Sequence, residues 1–117
     1  MVETDIFSTL KGLVGNRCYP DFAPLGTVRP FITFEQTGGE AISFLEGALP
    51  EKKNGRFEIG VYADTRMACA ALAVQVETAM AAATAFQATA IHAPISDYAD
   101  EVKIYSSTQN FSVWSQR

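Results

Sequence analysis

Few side chains in this chain could do chemistry. It carries one imidazole, His92, and two thiols, Cys18 and Cys69. A hydrolytic centre needs a nucleophile, a base and an orienting acid. His92 closes an alternating run, Phe86, Ala88, Ala90, His92, that reads as a strand, so the ring is expected to serve structure. A zinc site needs three or four Cys and His ligands, and these three residues stand at no ligand spacing. Cys69 falls in an alanine-rich stretch and behaves as a small core residue. The two thiols could pair, but no export signal precedes them, so the reduced state is the expectation. Gly38-Gly39 is followed by Glu40, without the Lys-Ser/Thr pair of a phosphate loop or a dinucleotide fingerprint. Asp97, Asp100 and Glu101 lack the ordered alternation of a calcium loop and read as a solvated turn. The expectation is therefore no catalytic residue, no metal site and no cofactor: not an enzyme.

What remains is a chain of 117 residues, 48% hydrophobic and 19% charged, the size of a single domain over 1–117. A domain of this size buries about two-thirds of its unfolded surface and needs no metal to fold. No apolar run approaches the ~20 residues of a membrane span. Thirteen acidic against nine basic residues give a net charge of −4. That balance argues against a protein whose task is to grip nucleic acid, because such affinity comes from Lys and Arg neutralising phosphates. The single basic–aromatic pair Arg56-Phe57 is no stacking platform.

The elements follow from periodicity. Ile6, Leu10 and Leu13 recur at helical spacing over 4–14, and Gly15-Asn16 supplies a stop. Residues 17–29 form an irregular stretch with Pro20, Pro24 and Gly26, expected to be pinned to the body by Tyr19 and Phe22. Residues 31–37 are β-branched and aromatic, a strand with Pro30 at its entry. A second strand starts at Arg56, with Phe57, Ile59, Val61 and Ala63 on one face. Between the two lies a long excursion, 39–55, with an apolar patch and a polar tip, far longer than a hairpin loop. Thr65 caps the strongest helix, 65–83, where Cys69, Leu72, Val76, Met80 and Ala83 share a face. Its eight alanines between Ala68 and Ala83 are expected to let it approach a sheet closely. A strand over 86–92, a loop at 96–100 and a last strand over 102–114 complete the chain. In that last strand the apolar parity slips between Ile104 and Phe111, which predicts a bulge or a break. The fold class is α+β: a two-layer, largely antiparallel sheet with both helices on one face, in the order α-β-(long excursion)-β-α-β-β.

Several segments together resemble the tail completion proteins of long-tailed bacteriophages and prophages, a family related to the tail terminators. They are Arg17-Cys18-Tyr19-Pro20, Ala23-Pro24-Leu25-Gly26, Pro30-Phe31-Ile32-Thr33-Phe34, Phe57-Glu58-Ile59-Gly60-Val61-Tyr62-Ala63-Asp64-Thr65 with its alanine-rich helix, and Phe111-Ser112-Val113-Trp114. The polar run Ser106-Ser107-Thr108-Gln109 departs from the pattern and puts the pairing of the final strand in question. The resemblance implies structural work in a virion: a ring, expected to be a hexamer, that completes the tail tube and forms the head–tail joining surface. It implies contacts with the tail tube protein and a head–tail connector protein, assembly in the bacterial host cytoplasm, and residence at the tail–head junction. It implies no specific nucleic acid and no membrane partner. A ring needs head-to-tail interfaces, and the excursion suits an arm. Ile42, Phe44, Leu45 and Leu49 are expected to touch a neighbouring subunit or the tube, with Glu51, Lys52 and Lys53 at the rim. The isolated protein could remain a monomer if the tube is the template for closure. Two alternatives stand beside this reading. One is a head-closure or connector protein; the other is a small ligand-binding or regulatory α+β domain, marked by a pocket of Tyr62, Tyr98 and Tyr105.

Overall fold

Alternating and three-to-four spaced apolar residues sort into two layers. The computed structural model describes residues 1–41, 47, 49 and 51–117. Helix α1 (Val2–Leu10) runs into a 3-10 turn (Lys11–Leu13) and is followed by β1 (Cys18–Pro20), β2 (Phe31–Gly38) and β3 (Lys52–Ala63). Then come helix α2 (Arg66–Ala82), β4 (Gln87–Ala90), β5 (Ile95–Ala99) and β6 (Ile104–Gln116). The sheet order is β1-β2-β3-β6-β4, with β5 also paired to β6; among the described residues only the β1–β2 pair is parallel.

Both helices lie over one sheet face, and the core forms between the layers. From the helices it takes Ile6, Leu10, Cys69, Leu72, Val76 and Met80; from the sheet, Ile32, Phe34, Phe57, Ile59, Val61, Phe111 and Val113. The helix stop is where the pattern put it: Gly15 and Asn16 take positive φ of 58° and 69°. Thr65 caps α2 by accepting a hydrogen bond from the Ala68 amide at 3.1 Å.

Four expectations are corrected. Cys18–Pro20 is a short strand paired to Ile32–Phe34, not irregular chain. The loop expected at 96–100 is largely edge strand β5, whose side chains are all exposed. A strand without a buried face has no period for the sequence to display; it is held by the backbone ladder to β6 and by Arg66, which donates to the carbonyl of Asp97 at 2.7 Å. The expected bulge in the last strand is absent: β6 keeps an unbroken register with β3 from Ala63↔Tyr105 to Lys52↔Gln116. Ser107, Gln109, Phe111, Val113 and Ser115 all face the core side and are all buried, so the parity never slips. Polar residues on the inner face hid it. Gln109 is satisfied there by donating to the His92 carbonyl at 2.8 Å. Finally, the alanines of α2 mostly face outward: Ala68, Ala70, Ala71, Ala81 and Ala82 are exposed, and Ala73 is the one buried within the helix. The outward ones raise helix propensity, while Ala73, with Ala79 and Ala83, packs into the core.

Candidate functional site

The residues that could act lie at the two ends of β3. At its start, the excursion leaves β2 through Gly38-Gly39 and re-enters at Glu51. Gly39 has φ +142°, and a Cβ there would stand 2.7 Å from the Asn54 carbonyl oxygen, so only glycine fits. Asn54 fixes the exit: its Oδ1 accepts from the Glu40 amide at 2.9 Å while its Nδ2 donates to Ser112 Oγ at 2.9 Å. The Arg117 amide donates to the Glu51 carbonyl at 2.7 Å and fixes the return.

Of the seven residues expected to form the contact surface, Ile42, Phe44 and Leu45 lie outside the described residues. Leu49 is 61% exposed. Glu51 and Lys52 are exposed and Lys53 half-buried. The two lysines do not sit on a loop tip, however: they are the first residues of β3, opposite Gln116 and Ser115. Their side chains therefore leave opposite faces of the sheet.

At the far end of β3 a second surface appears that residue patterning did not single out. The connection from β1 to β2 folds over the helix-free face of the sheet, burying Thr33. Together with the turn before β6 it encloses a groove of about 580 Å³, lined by Phe22, Leu25, Phe31, Tyr62, Val102 and Ile104 among others. Phe22 does not pin the loop inward; it is 79% exposed, with Leu25 wholly exposed, Val28 at 67% and Val102 at 57%. Arg29 holds this apolar surface in place. Its Nη1 meets Asp64 Oδ1 at 3.1 Å and the Lys103 carbonyl at 3.0 Å, and its Nη2 donates to the Val102 carbonyl at 2.8 Å. One guanidinium thus joins three segments, and the Phe31 ring stacks on Tyr62 at 4.8 Å beneath them. The available signal was a Pro/Gly-rich loop carrying large apolar residues. What it could not tell is which way those side chains point.

The three tyrosines do not form a common pocket. Tyr62 lies on the helix-free face with Phe31, whereas Tyr98 and Tyr105 meet at 4.5 Å with their rings tilted by 41° on the other, and the Arg66 guanidinium lies 5.0 Å from the Tyr105 ring. His92 follows the end of β4, and its ring is engaged with backbone. Nδ1 lies 2.7 Å from the Ala93 carbonyl oxygen, and Nε2 accepts from the Asn110 amide at 3.2 Å. Cys18 and Cys69 are both buried free thiols, and burial pushes Cys18 up to about 12. Among the described residues no group of three or more His, Cys, Asp or Glu side chains could hold a metal ion, and no helix is long and apolar enough to cross a membrane.

The family model described as "Tail completion protein gp17" matches residues 7–116. Among solved structures, a chain of the "Virion of native gene transfer agent (GTA) particle" superposes with a TM-score of 0.72 at 16% identity, covering 99% of this chain and 95% of that one. At that identity the likeness is one of fold. No curated protein matches significantly.

Proposed function

The chain belongs to the tail completion protein gp17 family, and from that premise we propose that it is a structural protein of a long-tailed phage or prophage virion. In this reading it caps the tail tube at its head-proximal end as a ring, stops tube growth and offers the surface that meets the head connector. The observation that carries it is the family match across nearly the whole chain. The shared fold with a chain of a gene transfer agent virion supports it. So does the surface: Phe22, Leu25, Val28 and Val102 stand exposed at one end of β3 and Leu49 at the other, as a protein that works by contact requires. A ring closes through heterologous interfaces, one patch of each subunit meeting a different patch of its neighbour. The arm residues Ile42, Phe44, Leu45 and Leu49, with Glu51, Lys52 and Lys53, serve as one such patch, toward a neighbour or the tube. Its work needs no bond-breaking and no cofactor. The ring assembles in the host cytoplasm and stays at the tail–head junction.

The test is the length of tails made without the gene, read by electron microscopy. A terminator leaves tails of uncontrolled length. Tails of normal length that never join heads overturn termination in favour of a joining role, and infectious particles of normal form overturn both. Phe44→Ser with Leu45→Ser tests the arm: the purified protein keeps its fold, and its attachment to tail tubes, followed by sedimentation, is lost. Unaltered attachment removes the arm from the interface.

A further inference from the structure

We propose that a small acidic pocket on the helix-free face of the sheet, floored by Gly60, seats an arginine side chain of another virion protein. An apolar side chain beside that arginine lies in the adjoining groove of Phe22, Leu25, Val102 and Ile104. The partner's place in a virion rests on the reading above, whereas the chemistry of the pocket stands on its own geometry.

On β3 the core residues Phe57, Ile59 and Val61 alternate with Glu58, Gly60 and Tyr62, which face away from the helices. Gly60 lies between Thr33 of β2 and Thr108 of β6, and Glu58 stands directly opposite Glu35. Lacking a side chain, Gly60 leaves a hollow of about 60 Å³; a Cβ there would lie 3.0 Å from both Thr33 Oγ1 and Tyr62 Oη. Asp21 closes it from the β1–β2 connection, its amide donating to the Phe34 carbonyl at 2.8 Å. Three carboxylates and three hydroxyls thus surround the hollow, with no cationic side chain among them. Thr33 is 8% exposed, and its hydroxyl, at the hollow, makes no hydrogen bond among the described residues. Glu35 and Glu58 repel each other across the strands, which a positive occupant reverses. Asp21 and Glu35 are exposed and Glu58 half-buried, so a partner reaches all three.

The chain's own cations do not neutralise them: the one ion pair among the described residues joins Arg29 to Asp64. Arg56 shares the face with Glu58 but lies a row further on, opposite Ser112. Arg29, on the groove side, is held by Asp64 and two carbonyls, and the exposed Lys103 lines neither pocket nor groove. No three carboxylates converge closely enough for a metal ion. A guanidinium instead spreads five N–H donors across a plane and meets acceptors on several sides. Pocket and groove share Asp21, Thr33 and Tyr62, so the fitting segment carries an arginine next to an apolar residue. A second copy does not offer one. Of the five arginines, Arg17, Arg29 and Arg66 are bonded to carbonyls, Arg56 adjoins Gly55 and the buried Phe57, and Arg117 follows Ser115-Gln116. A second copy also brings a net charge of −4 to an acidic site. The occupant is therefore a different protein, chosen by opposite charge.

The experiment titrates the full chain with N-acetyl-Leu-Arg-amide, followed by the amide resonances of Thr33, Gly60 and Thr108. The expected result is saturable shifts at these three, and none with the citrulline peptide, which has the same shape without the charge. Glu58→Gln weakens binding several-fold without lowering stability, because it also removes the repulsion from Glu35. Gly60→Ala weakens it with the charge unchanged, by filling the floor. Asp100→Asn with Glu101→Gln removes two charges outside the pocket and leaves binding as it was. Equal shifts from both peptides, no saturation, or a loss from the distant pair as large as from Glu58→Gln overturns the pocket and leaves the tail reading standing. In particles, Glu35→Gln with Glu58→Gln lowers the amount of this protein retained through purification; full retention overturns the partner. Absence of the unaltered protein from particles is the separate result that sinks the virion reading, and the partner with it.

Discussion

Both ends of β3 carry exposed apolar residues, Phe22, Leu25, Val28 and Val102 at one and Leu49 at the other, yet they are built in different ways. At the Ala63 end one arginine gathers three segments, and the apolar side chains stand on a braced surface. At the Lys52 end a glycine that admits close backbone approach and an asparagine that bonds both ways fix where the chain leaves β2. One end is braced through a guanidinium and the other through close backbone approach. Bracing depends on the bonds behind a surface and not on its hydrophobicity, so the two ends respond to different mutations.

The largest effect should erase the comparison. Phe57→Ala removes a ring that is 1% exposed, paired across the sheet with Phe111. It should cost about 3–5 kcal/mol by leaving a cavity, lowering protection at both ends together in hydrogen exchange. Arg29→Ala should separate the ends. Two bonds to carbonyls and a partly exposed ion pair are lost, worth ~2 kcal/mol. Amides of 21–29 and 100–103 should exchange faster while those of 37–40 and 52–56 stay protected. Gly39→Ala is the converse: it forces a side chain into the Asn54 carbonyl and should cost ~1–3 kcal/mol, loosening the arm end alone.

Alkaline pH supplies a control that moves both ends. Burial raises the Cys18 thiol from its ordinary value of 9.0 to about 12, and Cys69 moves the same way. Below pH 9 both folded and unfolded chains hold the proton and nothing changes. Between 9 and 12 the unfolded chain releases it and the folded chain does not, so stability falls by up to about 1.4 kcal/mol per pH unit for this thiol. Urea titrations at pH 8, 9.5 and 10.5 measure the decline, and Cys18→Ala should flatten it. The smallest effect on folding belongs to Lys52→Glu with Lys53→Glu, within about 0.5 kcal/mol in denaturant. That pair should leave the fold of the monomer intact, so attachment to tail tubes can be followed with it separately from stability.

Much of the fold was legible because it depends on local order. The Ile6 and Leu10 spacing, the Gly15-Asn16 stop, the Thr65 cap and the alternation of Phe57, Ile59, Val61 and Ala63 each declare an element from neighbours a few positions away. The α+β class follows from their order. The illegible parts are those where a strand's identity comes from its partner. β5 has no buried face to show, and β6 buries Ser107, Gln109 and Ser115 beside Phe111 and Val113, so polarity and position disagree. The surfaces divide the same way. The long apolar excursion was the surface that composition alone singled out. The groove required Arg29 to meet Val102 and Lys103, more than seventy positions away, at distances of 2.8 and 3.0 Å. Pairings at such range are chosen by the packed chain as a whole, because no local preference rewards them until the sheet has brought both loops to one end.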